Sequence, residues 1–327
     1  MSIYTVHSYT QHNWPHIAPL VDALPFKPLA GHARWNPQQV AELSYARIKD
    51  SLGKGEGGAW VALKETAVHG FASFCLLPWD SEQLGMCAAR LDHLVAIGTY
   101  QEQHQIKSAL IEKVIEEAFQ QHVWHLSARV DASDLSGLHA LEQANFITVD
   151  AILTFALDLA RFKFPNPEHN FQIRLATSED AERVANLARI SYVYDRFHAD
   201  PIIKVERADE LHAAWLRNSC QGKAADAVVI AEDKEGALGY VTCKLQPDTK
   251  KHLGRMVGTI VLVATAERAR GRGVGQATTL AALKWFQERG ASIVEVGTQL
   301  RNAQASRLYQ RCGFHLVGSS VSLRKSL

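Results

Sequence analysis

Residues 260–280 read IVLVATAERARGRGVGQATTL, and the order of residue types in this stretch decides the fold. IVLVAT is an unbroken apolar run of the kind a fully buried strand shows. AERARGRGVG then loses that pattern and places glycines at 271, 273 and 275. From Val274 an apolar-rich stretch runs to residue 289 and stops at Gly290, which reads as a helix closed by a glycine. The amides of such a loop, and of the first turn of the helix, have no intrahelical acceptor. Together with the helix dipole they form a cradle for an anion. Arg268, Arg270 and Arg272 add charge beside it. The physical expectation is a phosphate or pyrophosphate ligand, although solvated arginines on a glycine-rich turn give the same pattern.

Outward from this stretch the pattern continues. Residues 178–193 read as a helix with Ser178 as its N-cap and an acidic first turn. Two β-rich runs flank the turn at 233–236, and 292–298 is a further strand. Residues 303–312 form a helix stopped by Gly313, and 314–317 with 321–323 read as a closing hairpin. The expected class is α/β (α+β), a mixed sheet with helices on both faces.

The chain also repeats itself. GFASFCLLPWDSEQLG (70–85) aligns without gaps on GYVTCKLQPDTKKHLG (239–254), with Leu76/Leu245, Pro78/Pro247 and Leu84/Leu253 at one offset. After one residue drops out, LVA (94–96) falls on LVA (262–264), and LEQANF (141–146) on YQRCGF (309–314). Two copies of one fold follow, at 1–160 and 171–327. The segment RFKFPNPEHN (161–170) reads as the linker, with two prolines and no periodicity.

Composition agrees with two globular domains in 327 residues: 47% hydrophobic, 21% charged, and 35 basic against 34 acidic residues. A near-neutral chain without a basic block argues against nucleic acid as the main partner. No apolar run approaches the ~20 residues of a membrane helix, and the amino-terminal stretch lacks the pattern of a secretory signal; membrane insertion is not expected, and a cytoplasmic location is. The five cysteines form no CxxC pair, so free thiols are expected rather than disulfides or zinc.

Arg270, Gly273 and Gly275 match the R/Q-x-x-G-x-G/A signature of the GNAT family of N-acetyltransferases, and the second copy resembles that family. Asn302, Ala305, Tyr309, Gly313 and Phe314 match its later Asn-x-x-Ala-x-x-x-Tyr-x-x-x-Gly-Phe block. The resemblance implies two tandem GNAT-like domains. It also implies acetyl-CoA, or another short acyl-CoA, as co-substrate, and no metal. Arg270, Gly271, Arg272, Gly273, Val274 and Gly275 would wrap the pyrophosphate, with Asn302 nearby. Val263, Ala264 and Thr265 would pair with the pantetheine arm, and one amide, at Val263 or Ala264, would polarise the thioester. Tyr309 would protonate the leaving thiolate as general acid; a core aromatic is the plainer reading of the same residue. Glu295 lies on the neighbouring strand, but alternation leaves its direction open, and no base is assigned.

The first copy reads Glu102, Gln103, His104, Gln105, Ile106 and Lys107 where the second has residues 270–275, and Asp134 and Leu141 where it has Asn302 and Tyr309. It is expected to bind no coenzyme A and to serve as scaffold and a wall of the acceptor site. LPWDSEQLG (77–85) and DRFHADP (195–201), with LHAAWLRNS (211–219), resemble segments of bacterial nucleotide-sugar N-acyltransferases. That resemblance implies a small amine acceptor, a dTDP-linked amino sugar. Arg196, His198 and Asn218 would supply polar groups, and Trp79 and Trp215 apolar walls. His198 has no partner at metal-ligand spacing in the sequence. Other readings are a mycothiol-synthase-like enzyme, a peptide N-acetyltransferase and a non-catalytic acyl-CoA-binding regulator. The chain would act as a monomer or homodimer.

Overall fold

The computed structural model describes residues 4–24, 27, 29, 31, 35–53, 56–165 and 168–327. In chain order the elements are β1 (Thr5–Ser8), α1 (Trp14–Ala23), α2 (Pro37–Gly53), β2 (Gly57–Lys64), β3 (Ala67–Leu76), α3 (Pro78–Leu84), β4 (Ala88–Ala96), α4 (Tyr100–Gln120), β5 (His125–Asp131), α5 (Leu135–Gln143) and β6 (Ile147–Asp158). There follow β7 (Gln172–Leu175), α6 (Ala181–Arg189), α7 (Val205–Cys220), β8 (Ala227–Asp233), β9 (Gly236–Gln246) and α8 (Pro247–Leu253). The chain closes with β10 (Met256–Thr265), α9 (Val274–Glu288), β11 (Ala291–Gln299), α10 (Ala303–Arg311) and β12 (His315–Ser326). The repeat is visible in this order, down to the seven-residue helices α3 and α8, each ended by a left-handed glycine, Gly85 and Gly254. No helix among the described residues is long and apolar enough to cross a membrane.

Two compact units divide the chain: residues 1–151 with 319–327, and residues 152–318. These are not the divisions expected at 161–170. The first unit takes its last strand from the far end of the chain, where Ser320–Ser326 of β12 pair antiparallel with Asp131–His125 of β5. The second unit takes residues 152–158 of β6, which pair antiparallel with β11. The closing hairpin expected at 314–323 is one continuous strand. The expected linker is not free chain either. Phe162 and Phe164 meet edge to face at 4.9 Å and pack on the core of the second unit. Asn166 and Pro167 of that segment lie outside the described residues.

Alternation along the strands puts helices on both faces of the sheet within each unit. In the second unit Val229, Val241 and Cys243 share a core with Leu280, Leu283 and Phe286 of α9. Their neighbours Val228, Ile230 and Tyr240 point the other way and meet Val184 of α6 and Leu216 of α7. In the first unit Trp60, Ala62 and Phe74 face Leu110 and Val114 of α4, while Val61 and Phe71 face Ile17 and Leu20 of α1. The repeated Gly70 and Gly239 share a steric demand: a Cβ on Gly70 would lie 2.2 Å from Ile106 Cγ2, and one on Gly239 would lie 2.8 Å from Ala264 O and 2.9 Å from Val274 Cγ1. Each glycine lets the long helix settle onto the third strand of its copy.

Local ends differ from the expectation in one place. The residue before α6 is a short 3-10 turn, Ser178–Asp180, capped by Thr177 in a capping box with Asp180, and the helix stops at Arg189. Arg174 holds both Asp180 oxygens at 2.7 and 2.8 Å and reaches Glu232 on β8. Asp180 is therefore committed to this cation pair rather than to a simple first turn.

Candidate active site

β10 and β11 run parallel, with Val257 opposite Ile293 and Ile260 opposite Val296. Their pairing ends there. On its other side β10 stays paired with β9, but the register slips between Ile260 and Val263. In the slip Leu262 N donates to the Thr242 hydroxyl at 2.8 Å instead of to a backbone carbonyl. A bulge bends its strand, and here it carries residues 263–265 away from β11. Val263, Ala264 and Thr265 keep Val241, Tyr240 and Gly239 as partners on β9, so their other edge faces an open V.

The glycine loop stands next to that V. Gly271 and Gly273 have φ of 76° and 79°, and a side chain at either would point into open space. α9 begins at Val274 with no side chain capping it. Its first backbone bond is from Ala277 N to Gly273 O, so the amides of Val274, Gly275 and Gln276 stand ahead of the helical ladder. A Cβ on Gly275 would press on Thr265 Oγ1 at 3.2 Å and Leu308 at 3.3 Å, so this glycine sets how closely α9, β10 and α10 meet. The three arginines are not equivalent. Arg268 holds both Asp233 oxygens at 3.0 Å, and Arg272 lies 3.6 Å from the same carboxylate. Arg270 is exposed with no such pair among the described residues. Of the expected free charges, two are thus tethered to the β8–β9 turn. Asn302 caps α10, its Oδ1 accepting from Ala305 N at 3.1 Å.

Tyr309 projects from α10 into the core beside Phe155 and Phe314 and is 3% exposed. Burial pushes its hydroxyl above the ordinary tyrosine pKa, which keeps it protonated. Tyr309 is thus a core aromatic whose hydroxyl stays protonated. A second tyrosine reaches the V from the other face of the sheet. The Tyr192 hydroxyl donates to Val263 O at 3.3 Å and accepts from Tyr240 at 2.9 Å. Glu295 lies opposite Thr259 in the paired part of the strands, before they part.

The loop after α6 is pinned by a buried polar cluster that the sequence did not reveal. Asp195 accepts from the amides of Phe197 and His198, and its other oxygen lies 2.5 Å from His198 Nδ1. His198 Nε2 lies 3.0 Å from Asp209. Burial works to lower the His198 pKa, but its bonds to Asp195 and then Asp209 leave it raised. His198, expected as a polar tip for substrate, is instead an imidazolium with both ring nitrogens on carboxylates. His212 of α7 approaches the same carboxylate at 3.9 Å and is lowered by burial, held by Nδ1 to Ala208 O. Atoms of Asp195, His198 and His212 lie within 4.8 Å of one another; His198 meets its carboxylates at hydrogen-bond distance.

The remaining acceptor candidates are scattered. Arg196 lies over the Phe197 ring at 4.6 Å. Trp215 packs against the α6–α7 core. Asn218 is half-buried and stands six residues beyond His212, about 9 Å along the helix. Trp79 is half-buried on α3 of the first unit.

The corresponding place in the first unit is built differently. α4 begins at Tyr100, capped by Thr99 in a box with Glu102, so residues 102–107 are helix where the second unit has its loop. Lys107, the counterpart of Gly275, is fully buried and bonds both Asp134 oxygens, at 2.6 and 2.9 Å, and Ser136 at 2.9 Å. Asp134 is the counterpart of Asn302 and caps α5 in the same way.

The family model for the acetyltransferase (GNAT) family matches residues 185–314. The spore coat polysaccharide biosynthesis protein SpsD of Bacillus subtilis (strain 168) is 26% identical over 187 residues, 57% of this chain and 61% of that protein; the match thus spans less than two thirds of its length. A mycothiol acetyltransferase of Saccharomonospora viridis is 26% identical over 65% of this chain and 67% of its own. The dTDP-fucosamine acetyltransferase of Escherichia coli O6:H1 is 25% identical over 61% and 80%. A GCN5-related N-acetyltransferase from Sphaerobacter thermophilus superposes at a TM-score of 0.62 and 18% identity over 100% of this chain and 96% of that one. A tandem GNAT protein from the clavulanic acid biosynthesis pathway does so at 0.61 and 15% over 99% and 98%. At these identities the structural likeness is one of fold.

Proposed function

We propose that this chain, whose residues 185–314 match the acetyltransferase (GNAT) family model, transfers a short acyl group, acetyl or 3-hydroxybutyryl, from coenzyme A to the amine of a dTDP-linked 3- or 4-amino-dideoxy sugar. The observation that carries this is the V left where β10 and β11 stop pairing, opening beside the uncapped start of α9. The loop amides and Arg270 receive the pyrophosphate, with Gly271, Gly273 and Gly275 keeping the approach clear. The free edge at Val263, Ala264 and Thr265 takes the pantetheine arm. The amine attacks the thioester carbon directly, an amide at Val263 or Ala264 stabilises the oxyanion, and Tyr309 gives the leaving thiolate its proton. The first unit binds no coenzyme A, since the Lys107 ammonium fills the place of Gly275.

The sugar acceptor rests on the relatives named for polysaccharide and dTDP-fucosamine chemistry. A cysteinyl amino sugar is the second reading, favoured by the mycothiol acetyltransferase relative. Mass spectrometry of the products from a matrix of acyl-CoA donors against dTDP-amino sugars and a cysteinyl amino sugar separates the two. Acylation of the cysteinyl compound alone would replace the proposal. Tight coenzyme A binding with no thiol release for any amine would make the chain a regulator.

A further inference from the structure

We propose that Tyr192 is the end wall of the acyl pocket and restricts the donor to acetyl, an inference that rests on the acyltransferase reading of the V between β10 and β11. The free edge of β10 is flanked from both faces of its sheet. Tyr309 belongs to the α9–α10 core and Tyr192 to the α6–α7 core. With the thioester carbonyl held by an amide at Val263 or Ala264, the sulfur faces Tyr309. The acyl carbons beyond the carbonyl then point to the other side, where the Tyr192 hydroxyl stands 3.3 Å from Val263 O.

This wall does not yield easily. The Tyr192 hydroxyl donates to Val263 O and accepts from Tyr240, a residue with no exposed surface. The Tyr192 ring stacks on His212 at 4.2 Å, with 16° between planes. His212 is itself fixed through Nδ1 to Ala208 O at 2.8 Å and lies 3.9 Å from Asp195. Swinging Tyr192 aside would take this partner from Val263 O and from the buried Tyr240 hydroxyl at once. Burial raises the Tyr192 pKa, and the Tyr309 hydroxyl adds to that rise electrostatically, so the Tyr192 hydroxyl stays protonated. On this reading the space between the two tyrosines takes the methyl of an acetyl group and not the longer chain of a butyryl or 3-hydroxybutyryl group.

Isothermal titration of the full chain with acetyl-CoA, butyryl-CoA and 3-hydroxybutyryl-CoA tests this without knowing the acceptor. Acetyl-CoA should bind at least about tenfold tighter than either longer donor, the size of discrimination an apolar pocket gives against extra methylenes. Tyr192→Ala should bring the ratio to within about threefold by strengthening the longer donors, while Tyr192→Phe, which keeps the ring, should leave most of the preference in place. If Tyr192→Ala does not fold, Tyr192→Leu is read by the same ratio. Equal binding of butyryl-CoA and acetyl-CoA by the wild type overturns the wall, as does an unchanged ratio in the shortened variants. Failure of every acyl-CoA to bind overturns the acyltransferase reading itself.

Discussion

Tyr309 and His198 are both buried and both titratable, yet their surroundings give them opposite states. The Tyr309 hydroxyl has burial as the main influence and stays neutral. If it protonates the departing thiolate, Tyr309→Phe should lower kcat about a hundredfold while leaving the coenzyme A dissociation constant unchanged; an unaltered kcat would remove it from the mechanism. His198 is charged because Asp195 and Asp209 outweigh its burial. A raised folded-state pKa means that the clamp contributes fully below the ordinary imidazole value of 6.5 and loses that contribution as pH rises through the folded one. His198→Asn should therefore cost about 3 kcal/mol near pH 6, as broken buried pairs do, and the gap from wild type should narrow toward pH 9. Denaturant titrations at the two pH values check this, and an equal gap at both would mean a neutral imidazole. The sequence could not show this cluster: Asp195 and His198 sit in an irregular loop, and only the fold brings His212 beside them.

At the scale of elements, α9 and α4 are the same helix of the repeat with different beginnings. α9 starts late, after a loop with two left-handed glycines, whereas α4 starts at Tyr100 and runs through the equivalent residues. The glycines made that loop legible in the sequence, because they break the apolar pattern between a buried strand and a helix. The plug in the first copy was half legible. The loss of the glycines could be read directly, but Lys107 meeting Asp134 depends on side chains from two helices. One consequence is measurable: titration calorimetry should return one acyl-CoA per chain, and two would mean that the Lys107–Asp134 pair yields to a ligand. The parting of β10 and β11 was expected only through the family resemblance, which leaves residues 263–265 to pair with pantetheine, and not from the residues themselves. IVLVAT looks continuous, and nothing in it marks the slip between Ile260 and Val263 that Thr242 stabilises from the neighbouring strand.

At the scale of the molecule, the repeat was legible and the division of the chain was not. Proline and polar residues at 161–170 imitate a linker, while Phe162 and Phe164 hold that segment to a core. The exchange of final strands leaves no mark in the sequence, since nothing within β6 or β12 says which unit the strand completes. Leu323, without exposed surface, lies opposite Ala128 in the first unit's core. Leu323→Ala should cost about 3 kcal/mol, and hydrogen exchange should show the loss in β5 and β4 before β9 and β10. Loss confined to β9 and β10 would place that strand's contribution in the other unit. The same exchange sets an order of assembly during synthesis. Residues 152–318 have every strand of their unit before residues 319–327 are made, whereas residues 1–151 must wait, with the edge of β5 bare, until 319–327 follow. Of the two units, the one begun earlier closes later, and its open edge is where a misplaced strand from a neighbouring chain would find a partner.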